Sequence, residues 1–252
     1  MIACDQLVRV CDDLLRPGDF RDYTLNGLQV AGRSRVSRVM SGVTACQALL
    51  DEAVAWDADL LLVHHGYFWK NEPVAVTGMK RRRLATLLGN DINLLAYHLP
   101  LDAHRELGNN ACLAAELGFD VHGCADGDLG EGLLWLGAPG EAMDSTALGH
   151  HLARRLGREP TVIHGHEGRI ERVAWCTGGA QDMIGLACDA GVDAFISGEI
   201  SERTTHLARE MGINYFAAGH HATERYGVQA LGEWLARQHG VEHRFVDIDN
   251  PA

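Results

Sequence analysis

Three short apolar runs in this sequence each lead into imidazole and carboxylate side chains. Leu60-Leu61-Leu62-Val63 runs into His64-His65-Gly66, Ile92 to Tyr97 runs into His98-Leu99-Pro100-Leu101-Asp102, and Asn214 to Ala217 leads to Gly219-His220-His221-Ala222-Thr223-Glu224. In open α/β sheets, ligands bind beyond the carboxyl ends of the strands, which is where these residues would fall. A single histidine pair at a strand end is more often a surface cap than a site, but three such ends are hard to explain by packing. Adjacent strand residues point to opposite faces, so convergence of His64 and His65 calls for a turn, which Gly66 permits. Pro100 predicts a non-helical turn between His98 and Asp102. His220 and Glu224 share a helix face if the helix expected over 223 to 238 begins that early. His221 points about 100° away from His220 and is the weaker candidate, although its spacing of three from Glu224 also suits a pair.

The candidate metal ligands are therefore His64, His65, His98, Asp102, His220 and Glu224. Six ligands exceed what a single zinc ion takes, and mixed nitrogen and oxygen donors suit Zn, Mn, Fe, Co or Ni better than Mg or Ca. Two divalent ions bridged by a carboxylate are the economical reading. Such a pair, about 3.5–4 Å apart, activates a bridging water and polarises a carbonyl or phosphoryl oxygen. Hydrolysis, with the activated water as nucleophile, is the expected chemistry.

The elements that must hold these residues alternate along the chain. Strands are expected at Val36 to Val43, Leu60 to Val63, Ile92 to Tyr97, Leu133 to Leu136, Thr161 to Ile163, Arg172 to Cys176, Ala194 to Ser197, Asn214 to Ala217 and His243 to Ile248. Helical patterns occupy 2 to 15 and most of the intervals between strands, which predicts an α/β fold with helices packed on sheets. Sliding the chain over itself sets Arg38-Val39 on Arg172-Val173, Gln47 on Gln181, Asp59 on Asp193 and His64-His65 on Gly198-Glu199. A second alignment sets Asn93 to Tyr97 on Asn214 to Ala218. Any two β-α-β units share such a pattern in part; the reading taken is two related α/β lobes with their strand ends facing a common cleft. The Gly-rich acidic segment Gly123 to Gly132 is the candidate boundary, giving a first lobe over 1–125 plus 219–252 that carries most of the ligands and a second over 126–218.

Composition narrows the class. The chain has 252 residues, 46% hydrophobic and 22% charged, which is ordinary globular usage. No apolar run approaches the roughly 18 residues of a spanning helix, so no membrane association is expected. The formal charge of -12 disfavours sequence-independent nucleic-acid binding, which neutralises phosphates with excess Lys and Arg, without excluding a local basic patch. Seven scattered cysteines, none in C-x-x-C spacing, suit small buried thiols in a reducing cytoplasm. No secretory signal pattern opens the sequence, and a cytoplasmic location is expected.

The segments Asn26-Gly27-Leu28-Gln29-Val30, His64-His65-Gly66, His98 to Asp102, Ser197-Gly198-Glu199 and Gly219 to Glu224, in this order, resemble the NIF-three-like family, also labelled GTP cyclohydrolase 1 type 2 homologues. The resemblance covers nearly the whole chain and is closest in kind to the short bacterial branch that lacks a central inserted domain. It implies two intertwined α/β lobes in a three-layer α/β/α arrangement, a dinuclear metal centre in the cleft between them and a ring-shaped homohexamer. By position it implies the same six ligands, with Glu199, His206 and His221 as outer partners of the ligands or substrate contacts. Many members carry Pro where this chain has Gly66 and Tyr where it has His221. The family label implies GTP ring opening with release of formate.

Two rival functions follow from the same residues. A metal-dependent phosphoesterase acting on DNA or nucleotides would use the basic run Lys80-Arg81-Arg82-Arg83, although such a run is more often a solvated helix face. A non-enzymatic metal-binding hexameric scaffold or regulator would hold a saturated centre with no open position. Phe68-Trp69-Lys70, close after the histidine pair, suits either stacking on a nucleobase or packing under another subunit. His164 and His166, with no carboxylate closer than Glu167, read as surface residues.

Overall fold

Leu60 to Val63 is apolar at every position rather than at alternate ones, the pattern of a strand covered on both faces, and all four side chains are fully buried. The computed structural model describes residues 1–127 and 130–252. Asp128 and Leu129, within the expected boundary segment Gly123 to Gly132, lie outside the described residues. The chain forms two units, Met1–Leu101 with Gly227–Asp249, and Asp102–Tyr226 with Asn250–Ala252. Each is assembled from stretches separated in sequence.

The first unit contains β1 (Ile2–Ala3), α1 (Cys4–Leu15), β2 (Gly27–Val30), β3 (Arg35–Val36), β4 (Arg38–Thr44), α2 (Gln47–Ala55), β5 (Leu60–His65), α3 (Gly78–Gly89) and β6 (Asn93–Ala96). A short helix, α4 (Leu99–Ala103), follows at the junction of the two units. The second unit contains α5 (Asn109–Leu117), β7 (Phe119–Gly127), β8 (Gly130–Pro139), α6 (Ser145–Leu156), β9 (Thr161–Ile163), β10 (Val173–Cys176), α7 (Ile184–Asp189), β11 (Ala194–Ser197), α8 (Glu202–Met211) and β12 (Asn214–Ala217). The long α9 (His220–His239) begins in the second unit, and β13 (Glu242–Phe245) completes the first.

The first unit has a sheet of order β13-β4-β5-β6-β2, and the second has one of order β7-β8-β10-β11-β12-β9. Each contains three parallel neighbours, β4-β5-β6 or β10-β11-β12, with an antiparallel edge strand on one side, β2 or β9; on the other side stand parallel β13 in the first sheet and antiparallel β8 and β7 in the second. The core of the first unit packs Leu49, Leu50 and Ala53 of α2 and Leu84 and Leu87 of α3 against Met40, Leu61, Val63, Leu94 and Ala96. That of the second packs Leu148, Leu152 and Leu156 of α6 against Trp175, Ile196 and Phe216.

The repeat read from the sequence reappears bond for bond. Asp59 Oδ2 accepts from Ser37 N at 2.7 Å and Arg38 N at 2.9 Å. Asp193 Oδ2 accepts from Glu171 N at 2.9 Å and Arg172 N at 2.8 Å. Asn93 Oδ1 accepts from Gly32 N at 2.8 Å, and Asn214 Oδ1 accepts from Gly165 N at 3.1 Å. Even the crowding is shared: a Cβ on Gly32 would sit 2.3 Å from Asp91 O, and one on Gly165 would sit 2.2 Å from Ile213 O. These staples fix how each first strand enters the sheet beside its neighbour.

Three local expectations are corrected. Leu99–Ala103 is helical rather than a non-helical turn, because Pro100 sits in the first turn of α4, where a missing N–H has no intrahelical partner to lose. The strand β5 continues through both histidines, so their convergence does not wait for a turn at Gly66. The strand expected from Val36 is interrupted at Ser37, whose N–H goes to Asp59 instead of a ladder. The strands β1, β2 and β7 are additional to those expected; β2 is a short edge strand with a register shift between Leu28 and Val30.

Asp59 is held ionised: burial would raise its carboxyl, but Arg33 and the Ser37 and Arg38 N–H groups outweigh that and lower it. Asp59→Ala leaves two backbone donors without their acceptor, and a loss of about 1–3 kcal/mol is expected. The urea unfolding midpoint checks this, and an unchanged midpoint would count against the staple.

Candidate metal centre

In the first unit, β5 and the segment after β6 bring three imidazoles together. The possible ligand atoms of His64, His65 and His98 all lie within 4.8 Å of one another. Ring centroids are 4.5 Å apart for His64 and His65, and 5.1 Å for His64 and His98. Although His64 and His65 are adjacent in a strand, they stand at its carboxyl end, where side chains lean along the strand direction.

Each ring is oriented through Nδ1. His64 Nδ1 donates to Tyr97 O at 2.9 Å. His98 Nδ1 donates to Asp22 Oδ1 at 2.9 Å, and its backbone N–H goes to Asn26 Oδ1 at 2.7 Å. His65 Nδ1 lies 3.2 Å from Thr44 Oγ1. A carbonyl or carboxylate oxygen can only accept, so Nδ1 of His64 and of His98 carries the hydrogen and Nε2 carries the lone pair. This is the tautomer in which a histidine ligates a metal while its other nitrogen is held by an outer partner.

Asp22 is itself well held. Its Oδ2 accepts from Asn26 Nδ2 at 2.9 Å and Leu99 N at 3.0 Å, and its Oδ1 accepts from Tyr23 N at 2.7 Å. Burial would raise its carboxyl, but His98, Asn26 and the Leu99 N–H together hold it down to about 2.

In the second unit, α9 begins at His220, three residues earlier than expected, so His220 and Glu224 do share a face. His220 Nε2 lies 3.0 Å from Glu224 Oε2, and its Nδ1 lies 2.7 Å from Glu199 Oε1. Asp102, in α4, is buried and accepts at Oδ1 from Asn109 Nδ2 at 2.9 Å and Thr177 Oγ1 at 3.2 Å. Gly178 is obligatory here: at φ +66 it leaves the space that a Cβ would take 1.9 Å from Glu224 Oε1. Thr223 Oγ1 accepts from Gly178 N at 3.0 Å, tying the start of α9 to the end of β10.

The remaining sequence candidates separate cleanly. Glu199 touches His220, as an outer partner would. His206 lies on an exposed face of α8, pairing with Glu202 at 3.1 Å. His221 is buried, and its backbone N–H donates to Ala252 O at 3.1 Å. His164 bonds Ser145 Oγ at 2.6 Å and His166 bonds Asp193 O at 3.1 Å, both structural uses. Sequence reasoning missed Asp22, Asn109, Thr177 and Gly178. The Asn26-Gly27 motif points toward Asp22, and Gly178 follows a buried strand as Gly66 does, but neither carries its partner within a helical or strand spacing.

Comparison with known proteins bears on this arrangement. The sequence profile of the family Duf34/NIF3 (NGG1p interacting factor 3) matches residues 2–251. A Pseudomonas aeruginosa protein named GTP cyclohydrolase 1 type 2 homolog is 55% identical over 251 residues, covering 100% of this chain and 99% of that protein. A protein of the same name from Escherichia coli is 51% identical over 249 residues, covering 98% of each. Among solved structures, protein ybgI matches with a TM-score of 0.95 at 50% identity over 100% of both chains. A Thermus thermophilus protein, TTHA1606, matches with a TM-score of 0.89 at 36% identity, again over 100% of both. This chain belongs to the NIF3 family. Among the described residues, no helix is long and apolar enough to cross a membrane.

The carboxylates around His220 set a pH signature. Burial works against its protonation, but Glu224 and Glu199 outweigh that and raise it to about 9. Its stabilising contribution in metal-free protein is therefore complete below the ordinary imidazole value of about 6.5 and fades as pH rises to about 9. The melting temperature of chelator-treated wild type should fall relative to His220→Gln between those limits. Parallel pH profiles of the two proteins would contradict this.

Proposed function

We propose that this chain is a metal-dependent hydrolase in which His64, His65, His98, Asp102, His220 and Glu224 together hold two divalent ions. Zn, Mn, Fe, Co and Ni all suit this set of nitrogen and oxygen donors. The observation that carries the reading is the engagement of Nδ1 in His64, His65, His98 and His220 by an outer oxygen, which directs Nε2 toward ligation. When bound, such ions lower the pKa of water and polarise a carbonyl or phosphoryl oxygen.

The chain's own residues orient and hold. Asp22 and Tyr97 O fix the His98 and His64 rings, while Asn109 and Thr177 fix the Asp102 carboxylate. Glu199 Oε1 holds the proton on His220 Nδ1. The proton that His220 Nε2 shares with Glu224 in metal-free protein is the one a metal would displace, so uptake at neutral pH releases protons.

The substrate is a nucleotide or another small molecule, and GTP opened with release of formate is the first candidate, by the name its relatives carry. A second reading, a phosphoesterase on DNA or nucleotides, is favoured by one feature. The first turns of α3 carry Lys80, Arg81 and Arg82 with no acidic residue in the first turn, where the helix dipole opposes cations. The reading extends to a homohexamer, after the family resemblance, and to a cytoplasmic location. The seven cysteines, which form no disulfide, support the latter.

Formate release from GTP should be lost on chelation, restored by added metal, and lowered at least a hundredfold by Asp102→Ala and by Glu224→Ala. Metal-dependent turnover of a phosphodiester without formate would favour the second reading. Turnover of neither substrate by metal-loaded protein would favour a scaffold or regulator.

A further inference from the structure

Beside the three imidazoles of the first unit stands an aromatic wall that ligation does not use. The Tyr23 and Trp69 rings lie 5.7 Å apart, and each meets the His98 ring nearly edge-on at 5.1 Å. Trp69 also lies 5.9 Å from the His65 ring. Burial in a core would account for such a cluster, yet Tyr23 is 42% exposed. Tyr and Trp are enriched where one end of the side chain is apolar and the other wet, and grouped exposed apolar groups rimmed by polar residues mark ligand or partner sites.

The loops that carry these rings are tied together. Tyr23 N donates to Asp22 Oδ1 at 2.7 Å, Lys70 N to Tyr23 O at 2.9 Å, Thr24 Oγ1 to Tyr67 O at 3.4 Å and Trp69 Nε1 to Gly66 O at 3.2 Å. Phe68 is held at φ 66, a left-handed conformation unfavourable for a bulky side chain and kept only where the surroundings enforce it. Lys80 Nζ lies 5.1 Å from the centroid of that Phe68 ring, a cation–π contact on the residue that precedes Trp69. The Tyr23 and Trp69 rings thus stand directly against two candidate ligand rings, on loops tied to each other by hydrogen bonds.

We propose that Tyr23 and Trp69 form a subsite that stacks the planar heteroaromatic ring of the substrate beside His65 and His98. This rests on the hydrolase reading and specifies what that site selects: a ring with π-faces rather than an aliphatic or purely phosphate substrate. Stacking tolerates any base and loses roughly tenfold to a hundredfold in affinity when one aromatic partner is removed.

The test uses full-length protein whose metal content has been measured, titrated in a calorimeter with guanosine, which has the ring alone, and with inorganic tripolyphosphate, which has the charge alone. Tyr23→Ala and Trp69→Leu should weaken guanosine binding tenfold to a hundredfold, Tyr23→Phe should restore it, and tripolyphosphate affinity and metal content should stay unchanged. Guanosine that fails to bind wild type, or that binds Tyr23→Ala equally well, overturns the subsite. So does a change of subunit number in the variants with guanosine affinity intact, because the rings would then be covered by a second copy of the chain. Wild type lacking metal would instead sink the hydrolase reading and leave ring affinity to be judged on its own.

Discussion

A histidine can ligate a metal through one nitrogen only if its other nitrogen carries the proton, and the rest of this site depends on that constraint. Here the proton is placed by a backbone carbonyl or a carboxylate oxygen rather than left to solvent. Tyr97 O serves His64, Asp22 serves His98 and Glu199 serves His220. The Asp22 carboxylate in turn needs Asn26 and the first N–H of α4. The loop before β2 thereby orients a candidate ligand ring without supplying a candidate ligand itself.

The two units share one strand plan and carry different side chains at matching strand ends. Both units place three parallel strands beside an antiparallel edge and staple them with equivalent Asp and Asn residues. At matching strand ends the first unit has His64-His65, and the second has Gly198-Glu199. The glycine is demanded by packing, since its Cβ would come within 2.7 Å of both Gly178 O and His220 Cα. The neighbouring carboxylate then orients an imidazole on α9 instead of standing as a further histidine.

Legibility in the sequence followed the range of the interaction. Strands such as Leu60 to Val63 and Asn214 to Ala217 declare themselves through local apolar runs, and the repeat declared itself through Asp59 and Asp193. The pairing of His220 with Glu224 was readable from helical spacing, although where α9 begins was not, because that depends on Thr223 bonding Gly178 from another strand. Asp22 was marked only by the nearby Asn26-Gly27 motif: its partner His98 lies 76 positions away, beyond any local spacing. Pro100 misled because its effect depends on where in a helix it falls, which only the observed start of α4 reveals.

The most direct measurement of the central claim is elemental analysis of the protein purified without chelator, with metal counted per chain. About two divalent ions per chain are expected under the proposed dinuclear reading. Protein that is folded yet carries no transition metal, and takes none up when Zn, Mn, Fe, Co or Ni is supplied, would contradict it.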